Sequence, residues 1–238
     1  MINIDHLSKS YGKLIVLDDI NLTFMDAQAV SLLGPNGSGK TTLIKSILGL
    51  VISQKGSITI NGELVSNDEK YRSQIGYMPQ IGRYPDNMTI KQVINMIKEL
   101  RKDCKYYDED LIKEFGIEKF QNKTMRSLSG GTRQKISACI AFLFSPNIFI
   151  LDEPTAGLDP LASEIFKEKI ISERKLGKII LITSHVLSDL DDITSHIVYL
   201  QDGKLMFYDS VDNLKLETGE ERLNKVLASK MKKMVLNN

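Results

Sequence analysis

Tryptophan is absent from the 238 residues, cysteine occurs twice, histidine three times and proline six times. Cys104 and Cys139 lack metal or redox spacing, which excludes a disulfide framework, a zinc ribbon and CxxC chemistry. Cys139 falls in the apolar helical stretch ISACIAF and reads as core, so a reducing cytoplasm is the simplest setting. Neither sign of charge dominates: 31 basic against 30 acidic residues leave +1, with no electrostatic footprint for nucleic acid or an anionic membrane. No apolar run reaches the roughly 20 residues of a membrane span. The N-terminal MINIDHLSKSYG patterns as a strand and not as a signal peptide. Internal repeats, low-complexity tracts and long linkers are also missing.

What is present suits one large soluble domain, or a domain with a subdomain. Short β-branched runs (INIDHL, INLTF, AVSLLG, SITI, IGYM, NIFILDE, KIILITS, HIVYLQDG) punctuate the chain. Several are apolar on both faces, as strands covered by helices on both sides are. Helical patterns lie between them: KTTLIKSILGL, TIKQVINMIKEL, DEDLIKEFGI, RQKISACIAFLF and SEIFKEKIISERK. From about Gly82 to Lys135 no strand intervenes, which predicts a helical subdomain, 82–135, inserted into an α/β core. The tail from 210 to 238 ends in LNKVLASKMKKMV, where Leu223, Val226, Leu227, Met231 and Met234 share one helix face. That face predicts a terminal helix packed on its own domain, with a partner-binding helix as the alternative.

The strongest chemical signal is GPNGSGKTT, residues 34–42, after the strand AVSLL and opening a helix. Gly34, Pro35, Asn36, Gly37, Ser38 and Gly39 form a loop whose backbone N–H groups can curl around phosphate oxygens. Lys40 would set its charge between β- and γ-phosphates, Thr41 offers a hydroxyl to Mg²⁺, and Thr42 completes the pattern. NIFILDEP is an apolar strand ending in Asp152, able to hold Mg²⁺ directly or through water, and Glu153, able to act as general base. Three residues carry weaker signals. Gln80 in YMPQ can reach metal or water, or be an ordinary loop glutamine. His185 in LITSHV can contact a γ-phosphate, or cap or fill a core. Tyr11 in SYGK can stack on adenine, or be a surface tyrosine. His6 and His196 lie in strand patterns without a role. A second anion site, Ser129-Gly130-Gly131 in SLSGGTRQK, opens another helix.

In order, SYG, GPNGSGKTT, YMPQ, LSGGTRQK, ILDEPTAGLDP and TSH resemble the ATP-binding subunit of ABC transporters over nearly the whole chain. The resemblance implies one ABC ATPase domain, 1–238. Its fold would be an α/β P-loop NTPase core with a mainly parallel sheet, an N-terminal antiparallel β region and the inserted helices. It makes Tyr11 the adenine-stacking aromatic and Gln80 the Q-loop glutamine, a magnesium contact. Asp152 is then the Walker B aspartate, Glu153 the catalytic glutamate, Asp159 a D-loop residue and His185 the switch histidine. Thr132 stands where glutamine is common, while Ser129, Gly130 and Gly131 match.

The same resemblance implies ATP and Mg²⁺ as cofactors and a second ATPase subunit, an identical chain in the simplest case. The two chains would meet head to tail, each nucleotide lying between one P-loop and the other chain's signature. The energy would drive a transmembrane permease on a separate chain, at the cytoplasmic face of the membrane, through a surface that includes Ile81–Met88. GLDP and the compact chain are similar to ATPases of bacterial ABC-2-type exporters. GYMPQIGRYPDNMT, SLSGGTRQK, AFLFSP and PTAGLDPLAS are similar, more narrowly, to NosF-type subunits. The alternative is a soluble ABC ATPase acting on nucleic acid or ribosomes. Repair forms carry a long coiled coil between P-loop and signature, and translation forms carry two cassettes; neither feature is seen here.

Overall fold

The computed structural model describes residues 1–65 and 70–236. In chain order it runs β1 (Ile2–Tyr11), β2 (Leu14–Phe24), β3 (Ala29–Leu33), α1 (Lys40–Ile47), β4 (Lys55–Ile60), β5 (Glu63–Leu64) and β6 (Ile75–Met78). Then come α2 (Ile90–Leu100), α3 (Asp110–Glu114), α4 (Gly130–Phe142), β7 (Ile148–Asp152), α5 (Pro160–Lys175) and β8 (Ile179–Thr183). The chain closes with β9 (His196–Gln201), β10 (Lys204–Ser210), α6 (Val211–Thr218) and α7 (Leu223–Leu236).

Two sheets share these strands. The larger has the order β10-β9-β3-β8-β7-β6 and is parallel except for the β9–β10 pair. The smaller, β2-β1-β4-β5, is antiparallel throughout. In a parallel sheet covered on both faces, alternate side chains enter different cores. In β7, Ile148 and Ile150 pack with Leu43, Ile44 and Ile47 of α1 and with the smaller sheet. Phe149 and Leu151 point the other way, toward Phe142 of α4 and Phe166 of α5. Phe142 stacks on Phe149 with ring centroids 4.2 Å apart.

Between β6 and β7 the described residues form helices and irregular chain, with a lone bridge between Thr89 and Thr124. Regular helix starts at Ile90, where Thr89 and Gln92 exchange a capping box. The helical region is fastened to the core ionically as well as by packing. The partly buried Lys169 ammonium of α5 lies 2.6 Å from Asp108 and 3.1 Å from Glu173, and Lys178 lies 2.8 Å from Glu173.

Two strands escape the sequence patterns. β5 is two residues long, too short to show a period. β10, KLMFYDS, is half-buried along its length and does not alternate cleanly. Its signal was the Asp202-Gly203 pair, both at positive φ, in a two-residue hairpin turn. In the tail, Leu223, Val226 and Leu227 are buried while Met231 is exposed, so α7 docks by its first two turns. Residues 237–238 of the expected tail lie outside the described residues.

Candidate functional site

The strand order sets the site. β8 lies between β3, which feeds the phosphate loop, and β7, which ends in the two carboxylates. The C-terminal ends of three adjacent parallel strands therefore converge, the place where open α/β sheets bind ligands.

The loop from Gly34 to Gly39 is seated on backbone. Gly34 has φ +145° and a Cβ there would lie 2.0 Å from the Leu200 carbonyl oxygen. Gly39, at φ +104°, would meet the Val16 carbonyl oxygen at 2.6 Å. No side chain fits at either position. Lys40 begins α1 and folds back over the loop, donating to the carbonyl oxygens of Gly34 (2.7 Å) and Pro35 (3.0 Å). Burial lowers its pKa, an effect opposed by the negative charges of Glu153 and Asp152. The Ser38 hydroxyl is buried without a hydrogen-bond partner.

A cavity of about 390 Å³ opens above this loop. Asn36, Gly37, Ser38, Gly39, Lys40, Thr41, Thr42, Gln80, Asp152, Glu153 and His185 all line it. The register that pairs Asp152 with Thr183 lets the Thr183 hydroxyl donate to Asp152 Oδ1 at 2.5 Å. His185 Nε2 lies 3.0 Å from Glu153 Oε1. Glu153 sits at φ +54°, a left-handed conformation that costs any non-glycine residue energy and recurs at functional sites. Its N–H donates to both the carbonyl and the hydroxyl of Thr183 at 3.1 Å.

The remaining expected residues lie elsewhere. Gly34 and Pro35 shape the loop and hold Lys40 but do not line the cavity. Tyr11 ends β1, exposed, with the Lys9 ammonium 5.2 Å from its ring centroid. Ser129 caps α4, its hydroxyl accepting from the Thr132 N–H at 3.3 Å and pairing with the Thr132 hydroxyl at 2.9 Å. Ser129 and Gly130 are exposed, and neither they nor Gly131 reach the cavity lined by this chain's phosphate loop. Two lining residues, Val16 and Thr183, were not singled out from sequence. Thr183 was legible as the last residue of the strand before Ser184-His185; Val16 offers only a backbone-packing role that no motif encodes.

The donors grouped here are hard oxygens: the Thr41 hydroxyl, the Gln80 amide oxygen and the Asp152 carboxylate. That set suits magnesium, which takes one or two protein ligands and completes its shell with phosphate and water.

Residues 17–156 match the family described as ABC transporter. The chain is 33% identical over 227 residues to an uncharacterized ABC transporter ATP-binding protein, YhaQ, of Bacillus subtilis, covering 94% of this chain and 76% of the relative. It is 33% identical over 210 residues to the lipopolysaccharide export system ATP-binding protein LptB of Haemophilus influenzae, covering 85% and 87%. A solved ATP-binding subunit of an ABC transporter superposes with a TM-score of 0.85 at 28% identity, covering 96% of this chain and 98% of that one. A P-loop, two strand-end carboxylates and a histidine in one cavity, on a chain so matched, place this protein in the ABC transporter family, among its ATP-binding and ATP-hydrolysing subunits.

Proposed function

We propose that the cavity holds ATP with Mg²⁺ and that hydrolysis there awaits a second copy of the chain bound head to tail. The observation that carries this is a separation: the cavity has the phosphate loop, metal donors, base and histidine, while the exposed Ser129–Gly130 helix start stands outside it. A helix N-terminus presents free N–H groups and a positive dipole end. Facing a partner's γ-phosphate, it would supply the stabilisation that the phosphate loop alone lacks.

In this reading the loop N–H groups and Lys40 bind the β- and γ-phosphates, and Tyr11 stacks on the base. Thr41, Gln80 and Asp152 hold Mg²⁺, which when bound neutralises phosphate charge. Glu153 accepts a proton from the attacking water as its oxygen bonds to the γ-phosphorus and the bond to ADP breaks. His185, held against Glu153, steadies the γ-phosphate. Asp159 caps α5 and pairs with Lys135 at 2.6 Å, placing the D-loop beside the signature helix.

We assign the permease, a separate membrane chain, to the groove where the helical region meets the core. It is an apolar recess of about 350 Å³ lined by Ile75, Tyr77, Ile97, Leu100, Ile140 and Phe144, with Leu50 and Leu100 exposed at its edge. This surface supplements the expected face at Ile81–Met88, where Ile81 is exposed. No helix among the described residues is long and apolar enough to cross a membrane, so the reading places the chain at the cytoplasmic membrane face through this partner. Relatives named as transporter ATP-binding proteins favour it over a soluble factor acting on nucleic acid or ribosomes.

The test is Glu153→Gln. ATP should still bind, steady-state hydrolysis should fall by about 10²–10⁴-fold, and a dimer should accumulate on gel filtration with ATP and Mg²⁺. Wild-type turnover in this variant would remove Glu153 from the chemistry.

A further inference from the structure

The backbone of Glu153 is held on both sides of its Cα, at its N–H and at its carbonyl, and one of the two contacts comes from the signature helix. Thr183 takes the Glu153 N–H, as described. On the other side Gln134 of α4 donates from Nε2 to the Glu153 carbonyl oxygen at 3.1 Å and reaches the Pro154 carbonyl oxygen at 3.4 Å. Gln134 is buried, 6% exposed, a poor place for an amide unless its bonds matter.

Two neighbours on the same helix face reinforce the contact. Gly131, Gln134 and Lys135 have the i, i+3, i+4 spacing of one face. A Cβ at Gly131 would lie 2.4 Å from the Gly157 carbonyl oxygen, and Lys135 pairs with Asp159. The segment from Glu153 to Asp159 therefore runs along the first turns of the helix whose N-terminus is Ser129. Glu153, at positive φ, has no intrinsic preference for this conformation and must be held in it by such contacts.

We propose that Gln134 is a positioning residue for hydrolysis, fixing the orientation of Glu153 and making it depend on where the signature helix sits. A γ-phosphate arriving from a partner at Ser129–Gly130 would then be felt at this chain's own base. The inference rests on the roles given above to Glu153 and the signature.

The experiment uses the full chain with Gln134→Met, which keeps length and burial but removes the donor. Gln134→Glu, of equal size and without the amide donor, serves as the second variant should the first fold poorly. Expected is a fall of roughly 10- to 100-fold in kcat, the scale for small misplacement of a catalytic group. KM for ATP should stay within about twofold, since the ground-state contacts to nucleotide are untouched. ATP-driven dimerisation, read by combining each variant with Glu153→Gln, should match Glu153→Gln alone. Wild-type kcat in a folded, ATP-binding variant overturns the proposal. So does a loss of kcat matched by loss of dimerisation, which would make Gln134 a mere support of the helix. If Glu153→Gln itself turns over normally, the reading of Glu153 fails instead; if Glu153→Gln is inactive while the Gln134 variants run at wild-type rate, only this inference fails.

Discussion

His185 Nε2 stands 3.0 Å from Glu153 Oε1, joining the C-terminal ends of two strands between which the sequence places 26 residues, α5 and its flanking loops. Glu153 is largely covered, at 12% exposure, and His185 is open, at 56%, so the imidazole faces the cavity mouth and the carboxylate lies beneath it. In the hydrolytic reading His185→Ala removes the imidazole contact to the γ-phosphate, and loss of a hydrogen bond to a charged group, about 1.5–3 kcal/mol, should lower kcat roughly 10- to 150-fold. Nucleotide affinity of the isolated chain should change little, because the phosphate loop supplies it. Titration beside steady-state kinetics checks both halves; an unaltered kcat would return His185 to a loop role.

Tyr11 ends β1 outside the lining of the phosphate cavity. Its exposed ring is free to cover a base, and Tyr11→Ala should weaken ATP binding by about 1–3 kcal/mol, the scale of a base–aromatic stack. Calorimetric titration with ATP decides it. Equal affinity in the variant makes Tyr11 a surface residue of the β1–β2 turn.

Gly130 and Gly131 should respond differently to the same change. A Cβ at Gly130 meets nothing within 4 Å, whereas one at Gly131 lies 2.4 Å from the Gly157 carbonyl oxygen. Gly131→Ala should therefore lower the thermal midpoint by several degrees, a cost of about 1–3 kcal/mol for overpacking, and Gly130→Ala should not. Equal midpoints for the two variants would mean that the signature helix does not press on the 153–159 segment.

Acid should loosen the join between the helical region and α5. The hydrogen bond and charge of Lys169 hold the Asp110 carboxyl below the 3.8 of a free aspartate. A depressed folded value means stabilisation that is present above the unfolded value and lost as pH falls through the folded one. Asp110→Asn should flatten the fall in stability over roughly pH 5 to 2, measured by denaturant unfolding at each pH. An identical pH profile in wild type and variant would show that this pair contributes nothing.

Much of the site was legible because its chemistry is sequential. The phosphate loop needs its glycines, lysine and threonine adjacent, and Asp152-Glu153 ends an apolar strand, so each motif carries its own local context. Thr183 and Gln134 were not legible in the same way. Their contacts depend on the register between β7 and β8 and on how α4 lies across the end of β7, which are tertiary facts. The fold followed the same division. β3, β7 and β8, buried on both faces, read plainly from continuous apolar runs, while β10 is half-buried and its pattern was blurred by a sheet edge. The terminal helix face was read correctly for Leu223, Val226 and Leu227, but its continuation to Met231 emerges into solvent.

The claim that the signature serves a neighbour's nucleotide is tested most directly by Gly130→Asp. The open space at Gly130 admits the side chain, and an aspartate in the first turn suits the helix dipole, so the chain should fold as wild type. Its carboxylate would occupy the place of the incoming γ-phosphate and repel it. The measurement is ATP binding, ATP-dependent dimerisation and hydrolysis on the one purified variant. The account predicts near-normal ATP binding by the monomer with dimerisation and hydrolysis both lost. A Gly130→Asp protein that dimerises and hydrolyses like wild type would contradict it, leaving residues 129–131 as a helix start and nothing more.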